Sequence, residues 1–174
     1  MNAIVVIVLV VLVADSYAKP LKRGSGPNLW WDQFEECAGL KQSPVYLKKS
    51  IAVDQCFEDI KLTGFGTTPP VGATMTLTNN GHTVKMSLSG DYLVDGGGLG
   101  ATYRAGQFHF HWGKNNDRGS EHFMDFTPHP AEMHIVTYDT SRFGSIAEAV
   151  GEDGGLAVLG FLIEVSPTRD QTIK

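Results

Sequence analysis

The sequence lacks an excess of positive charge, and this excludes one large class of function. Its 174 residues hold 14 Lys and Arg against 19 Asp and Glu, a net charge of −5. A nucleic-acid-binding domain needs a basic stripe to neutralise phosphates, and none is present. Internal repeats, low-complexity tracts and N-x-S/T glycosylation sites are also absent. With 42% apolar residues, the chain is long enough for one domain with a hydrophobic core.

The longest apolar run of the sequence is too short to span a membrane. Residues 3–14 form a run of 12 apolar residues, whereas a spanning helix needs about 20. Small residues follow the run up to Ala18, which is typical of a secretory signal peptide, although no Lys or Arg precedes it. We therefore predict a signal peptide over residues 1–18, a mature domain over residues 19–174, and a secreted, extracellular protein without a stable membrane span. A membrane anchor is the alternative.

Cysteine is scarce, with only Cys37 and Cys56 in the chain. In an oxidising compartment these two could form a disulfide with each other. Each could also bond a partner outside this chain. Their spacing fits no metal-knuckle pattern, so the sequence leaves both pairings open.

Short segments of alternating polarity, separated by Gly and Asn turns, make up most of the chain after residue 60. They predict strands near residues 59–66, 73–80, 82–90, 102–113, 132–139 and 155–165. The last is nearly all apolar, as in a strand buried on both faces. We expect a short helix over residues 145–150 and mostly ordered coil over residues 19–53. The fold class is therefore mainly β, with a sheet as its core.

The segment QFHFHWG, residues 107–113, places two imidazoles on one face of a predicted strand. Residues two apart in a strand point to the same side, so His109 and His111 project together. His134, on the next long strand-like segment, could complete a group of three, which is the plan of a catalytic zinc site with an open fourth position. Gln107 and Glu132 share faces with these histidines and are placed to orient them.

An H-x-H pair alone is a weak signal, because it also suits structural histidines and other metal-binding β-barrels. Those barrels usually carry a carboxylate shortly after the second histidine. This chain has Asn115 and Asn116 in that interval, which counts against them.

Several motifs together resemble the α-class carbonic anhydrases. They occur in the family's order and cover about residues 30–165: QSP (42–44), NNGHTV (79–84), QFHFHWG (107–113), GSEH (119–122), AEMHIVTY (131–138) and DGGLAVLGFLIEV (153–165). The resemblance implies a large, mostly antiparallel twisted central sheet with a few short peripheral helices, incomplete at the C-terminus. It also implies a zinc lyase that hydrates CO₂ reversibly to bicarbonate and a proton by attack of zinc-bound hydroxide.

The resemblance implies a role for each residue that matches a family motif. The implied Zn²⁺ ligands are His109, His111 and His134, and the groups that orient them are Gln107 and Glu132. The remaining matches are a proton shuttle, His82; a cavity-wall residue near it, Asn80; a buried carboxylate that in the family accepts a hydrogen bond from a threonine, Glu121; a buried structural histidine, His122; and two residues of the apolar CO₂ pocket, Val136 and Val158.

The resemblance further implies that the sequence stops about one third of the domain before the family does. The missing part would carry the threonine beside the zinc-bound solvent and, in extracellular relatives, the disulfide partner of a cysteine at the position of Cys37. A fragment, a truncated gene model and a natural short form are the three explanations. The alternative function is a catalytically impaired, secreted protein associated with extracellular or mineralising matrix. The intact zinc ligands, with Glu121 and His82, favour the enzyme.

Overall fold

The computed structural model describes residues 27–165 apart from residues 33, 41 and 67, so the predicted signal peptide lies outside the described residues. Short 3-10 helices cover Pro27–Asp32, Glu35–Ala38 and Lys49–Ile51. The strands are β1 (Tyr46–Leu47), β2 (Lys61–Thr63), β3 (Thr74–Asn79), β4 (Val84–Ser89), β5 (Leu93–Asp95), β6 (Tyr103–Trp112), β7 (Phe123–Met124), β8 (Ala131–Asp139) and β9 (Leu156–Ile163). One α-helix, α1, covers Ile146–Ala149.

The longest strand, β6, is the centre of a seven-stranded sheet in the described part of the chain. On one side β6 pairs with β5 near its start and with β4 near its end, and β2 and β3 extend these two branches. On the other side it pairs with β8, which pairs with β9. All of these pairings are antiparallel. A separate parallel pair joins β1 to β7. The expectation of a mainly β, mostly antiparallel fold is confirmed.

A β-bulge at Gly106 sets which side chains of β6 face which way. Ala105 pairs with Thr137 and Gln107 pairs with Val136, so Gly106 is an extra residue between two pairs. A bulge shifts the alternation of side chains by one position. A Cβ at Gly106 would lie 2.6 Å from Ile146 Cδ1, so a larger residue there would have to displace the end of this α1 side chain. As a result Ala105 faces the apolar core, whereas Gln107 faces the opposite side.

The hydrophobic core covers one face of β6, β8 and β9. Ile135 of β8 and Leu159 of β9 are directly paired and almost fully buried. They pack with Tyr92, Val94 and Ala105. This apolar face fixes the position of the strands from behind, and the opposite face of β6 and β8 is left for polar side chains.

The predicted strands and the short helix are confirmed within a few residues, and three short strands, β1, β5 and β7, were not predicted. α1 begins after Ser145, whose side-chain oxygen accepts a hydrogen bond from the backbone N–H of Glu148. The sequence did not predict β5 or β7, because three and two residues are too few to show an alternating pattern. The segment expected to be ordered coil contains three short 3-10 helices and β1.

Candidate metal centre

Three histidines converge on the polar face of β6 and β8. His109 lies directly opposite His134 in the antiparallel register, and His111 follows two residues later on the same face of β6. The Nε2 atoms of His109 and His111 are 3.0 Å apart. One ring nitrogen from each of the three side chains lies within 4.8 Å of the others. The expected trio of imidazoles is therefore assembled by strand register, and it could hold a metal ion.

Two of the three imidazoles are oriented by the groups that the sequence predicted. The Oε1 atom of Gln107 accepts a hydrogen bond from Nδ1 of His109 at 2.9 Å, which leaves Nε2 of that ring without a proton. The Oε1 atom of Glu132 accepts from Nε2 of His134 at 2.6 Å, which leaves Nδ1 free on the inner side. Each acceptor thereby fixes the tautomer that presents a lone pair to a shared point.

Glu132 is the anchor of a buried hydrogen-bond network in which Nε2 of His122 alone lacks a partner among the described residues. It is 1% exposed, and its Oε1 also accepts from Nδ1 of His122 at 2.7 Å. Its Oε2 accepts the backbone N–H groups of Glu121 and His122, both at 2.9 Å. Burial raises the pKa of Glu132, but the hydrogen bonds from His122 and His134 outweigh it and hold that pKa well below its usual range. The carboxylate is therefore ionised. His122 is buried, as expected.

The ring of His109 is held neutral, which is the form that binds metals. Burial, together with the neighbouring rings of His111 and His134 and the charge of Lys85, lowers the pKa of His109 to about 4. Burial also lowers the pKa of His111, against the opposing charge of Glu121. Near neutral pH these rings offer lone pairs to a cation without first releasing protons.

Gly160 on β9 makes room for the network behind His134. It is paired with His134, and a Cβ at this position would lie 3.2 Å from Glu132 Oε1. That approach is closer than nearly all contacts that a real Cβ makes. The glycine therefore leaves the space that the hydrogen bond between Glu132 and His134 occupies.

Glu121 is the one expected site residue whose surroundings differ from the prediction. The sequence predicted a buried carboxylate, but the side chain is 42% exposed. Its Oε2 lies 3.5 Å from Nε2 of His111 and 3.8 Å from Nδ1 of His134. The side chain extends from the loop before β7 over the mouth of the histidine trio. Among the described residues, the rings of His111 and His134 are the groups that lie near its carboxylate.

The turn that carries His82 is tied to the metal-binding strand. Asn80 Oδ1 accepts the backbone N–H groups of His82 at 3.0 Å and Thr83 at 2.8 Å. The Thr83 hydroxyl donates to the backbone oxygen of Phe110 and accepts from its N–H. Phe110 lies between His109 and His111, so this turn, in which His82 is exposed, is joined to the strand that carries two of the histidines. Its role as a proton shuttle stays a prediction.

Val136 and Val158 are brought side by side by the pairing of β8 with β9. Val158 is 5% exposed, and Val136 lies two residues after His134 on the same face. An apolar wall next to the imidazoles follows from this register. Its function as a substrate pocket stays a prediction.

One residue near the site was missed. Lys85 on β4 is paired with His109 and therefore shares its face. Only the register between β4 and β6 shows that it lies beside the metal ligands.

Cys37 and Cys56 are both free thiols in the structure. The disulfide considered between these two cysteines is therefore not seen, and a bond to a partner outside this chain is the alternative that stays open. None of the helices that the structure describes combines the length and apolar character needed to cross a membrane.

Comparison with known proteins agrees with the geometry. The sequence model of the eukaryotic-type carbonic anhydrases matches residues 25–174. The chain is 38% identical to carbonic anhydrase 6 of Bos taurus over 146 residues, which cover 82% of this chain and 44% of that protein. It is 34% identical to carbonic anhydrase 1 of Mus musculus over 83% of this chain and 55% of that protein. With carbonic anhydrase 12 of Homo sapiens it shares 34% identity over 98% of this chain and 51% of that protein. The chain thus spans about half the length of these relatives.

Proposed function

Because the chain belongs to the eukaryotic-type carbonic anhydrase family, we propose that it catalyses the reversible hydration of CO₂ to bicarbonate and a proton. The observation that carries this proposal is the convergence of His109, His111 and His134 on one point. Because the chain spans about half the length of its relatives, its activity has to be measured on this chain itself.

We assign Zn²⁺ as the metal that His109, His111 and His134 would hold. The donor set supports the assignment, because zinc in catalytic sites is commonly bound by three neutral imidazoles whose outer nitrogens are hydrogen-bonded. Gln107 and Glu132 supply two of those outer hydrogen bonds. When bound, the ion would lower the pKa of water enough to supply a nucleophile at neutral pH, a property for which carbonic anhydrases are the standard example.

The substrate would lie against Val136 and Val158. CO₂ has no net dipole and gains little from hydrogen-bond donors, so an apolar wall beside the histidines suits it. The two valines are paired across neighbouring strands, which makes this wall continuous. Asn80 would contribute at the rim, next to His82, through the turn that its side chain holds.

His82 would carry the released proton from the site to bulk solvent. Histidine is the side-chain type that most readily gains and loses a proton near neutral pH. Its exposure, and the hydrogen bonds that tie the neighbouring Thr83 to Phe110 between two of the histidines, support this role.

The deciding experiment measures zinc stoichiometry and CO₂ hydration on the same sample of the chain. We expect about one zinc per chain and turnover that His111→Asp abolishes along with most zinc affinity, because it removes one of three ligands. His129→Asn is the matched control, since His129 instead pairs with Glu164 in another part of the chain. If His111→Asp kept both zinc and turnover, the metal assignment would be wrong. Zinc binding without turnover in the unaltered chain would favour the alternative, a non-catalytic secreted or matrix protein.

A second measurement tests His82. We expect His82→Ala to slow turnover in dilute buffer and to be rescued by added imidazole, because an external base can replace the missing side chain. Zinc content should not change, since His82 is not among the ligands. Equal rates for variant and unaltered chain in every buffer would remove the shuttle role.

We also propose that the protein is secreted, on the pattern of residues 1–18 alone. Expression in a secretory cell and sequencing of the exported chain's N-terminus test this. The expected first residue is Lys19, and retention of the full-length chain inside the cell would contradict it.

A further inference from the structure

Lys85 is a cation directly beside the histidine trio. It is paired with His109 across the antiparallel strands β4 and β6. Directly paired residues share a face of the sheet, and their Cβ atoms are about 4.5–5.5 Å apart. The four-carbon stem of lysine is flexible and of comparable length, so the ammonium can reach the space in front of the His109 ring. Burial and the neighbouring imidazoles lower the pKa of His109, and the charge of Lys85 lowers it further, so the field of the ammonium reaches this ring.

The charge of Lys85 is not neutralised by a carboxylate in the part of the chain that the structure describes. Lys61, for comparison, pairs with Asp95 at 3.8 Å. Lys85 has no such ion pair among the described residues. It is also half-buried, so salt screens its interactions less than those of a fully exposed lysine. A half-buried ammonium without a partner favours an anion from solution as its counter-charge.

The side of the trio on which Lys85 lies is polar, whereas the opposite side is apolar. Thr78 of β3 is paired with Lys85 and shares its face, and Ser87 lies two residues further along β4 on that face. Beyond His134, in the other direction, the face continues through the paired Val136 and Val158. Hydroxyl groups and an ammonium suit an anion that accepts hydrogen bonds. The valines suit a neutral molecule.

We propose that Lys85 is an anion-binding residue of the metal centre and that it holds bicarbonate, the charged carbon species of the proposed reaction. The ammonium would donate a charge-assisted hydrogen bond to a bicarbonate oxygen. CO₂ carries no charge and gains little from the same group, so Lys85 raises the affinity of the site for one of the two carbon species. Small inorganic anions that bind the metal are favoured in the same way. This inference rests on the proposed function and names the residue that distinguishes its substrate from its product.

Anion titration of the folded, cobalt(II)-loaded chain tests the proposal without measuring activity. The visible spectrum follows the binding of bicarbonate, azide and imidazole, each at the same pH. We expect Lys85→Met, which keeps the length of the side chain without its charge, to weaken bicarbonate and azide binding by about tenfold, because a charge-assisted hydrogen bond is lost. Lys85→Arg keeps the charge and should stay within a few fold. Binding of imidazole, which reaches the metal as a neutral ligand, should be the same in all three chains.

Lys61→Met is the matched control, because it makes the same change of net charge on β2, where Lys61 pairs with Asp95. It should leave all three affinities unaltered. Lys85 is not an anion-binding residue if Lys85→Met binds the anions as tightly as the unaltered chain, if it weakens imidazole equally, or if Lys61→Met has the same effect. In each of these cases the proposed metal centre still stands. If the unaltered chain does not bind cobalt, the metal centre itself is wrong and both proposals fall.

Discussion

The two faces of β6 and β8 share one backbone and carry opposite chemistry. The apolar face packs Ile135 and Leu159 into the main core. The polar face carries His109 and His134, held from behind by hydrogen bonds. An apolar face tolerates changes of shape because its attraction is non-directional. The polar face depends on individual partners, since a buried polar group that loses its partner is costly. The polar face, which carries the site, therefore tolerates substitutions less well than the apolar face of the same sheet.

The largest expected effect comes from removing the carboxylate of Glu132, which anchors the polar face. We expect Glu132→Ala to lower the free energy of unfolding by about 3–5 kcal/mol, because four donors lose their acceptor and each buried unsatisfied group costs about 1–3 kcal/mol. It should also weaken zinc binding by about 10–100-fold, because His134 loses the group that orients it. Urea unfolding and zinc titration measure the two effects.

Glu152→Ala is the control for this change, because Glu152 is exposed and should leave both quantities unaltered. A Glu132→Ala chain as stable as the unaltered one would mean that the network is not the anchor of this face.

The next effect comes from the apolar face at Leu159, which is 2% exposed. We expect Leu159→Ala to cost about 2–5 kcal/mol of stability through lost burial and the cavity left behind. Zinc affinity of the folded fraction should stay within a few fold, since no hydrogen bond of the site is removed. Leu77→Ala, at a position 65% exposed, is the control and should cost little. Loss of zinc binding in a folded Leu159→Ala chain would show that the two faces are coupled and not separate.

The smallest expected effect is the change of the free energy of unfolding with pH, measured on the metal-free chain. The pKa of His109 is lowered to about 4 in the folded chain, whereas an unfolded histidine has a pKa of about 6.5. Between these values the unfolded chain binds more protons, so stability should fall as the pH drops from 7 to 4. We expect a loss of roughly 1 kcal/mol, because part of the ring is open to solvent and the shift is weakened.

Denaturant unfolding at several pH values, with a chelator present, measures this effect. Leu159→Ala should show the same pH dependence at lower overall stability, and His109→Asn should lose the part that His109 contributes. A flat profile for the unaltered chain between pH 7 and 4 would contradict the lowered pKa.

Much of the site followed from the sequence, because strand periodicity is local. Two-residue spacing alone placed His109 beside His111, and the same rule placed Glu132 beside His134. The residue that was missed needs information from across the sheet, because Lys85 belongs to the site only through the register of β4 with β6. Glu121 was predicted as a site residue but not as an exposed one, because it lies in a loop whose path no periodic pattern describes.

Gly106 shows how much of the chemistry depends on chain length at a single point. Its insertion between two paired positions lets the first residues of β6 serve the core while the later ones present imidazoles to the other side. Deleting it would leave the composition almost unchanged. However, every side chain on one side of the deletion would then point to the opposite face of the sheet. Either Ala105 would lie on the polar face, or the histidines would lie on the apolar face. Homologous chains that keep this centre are therefore expected to tolerate a substitution at this position far better than a deletion.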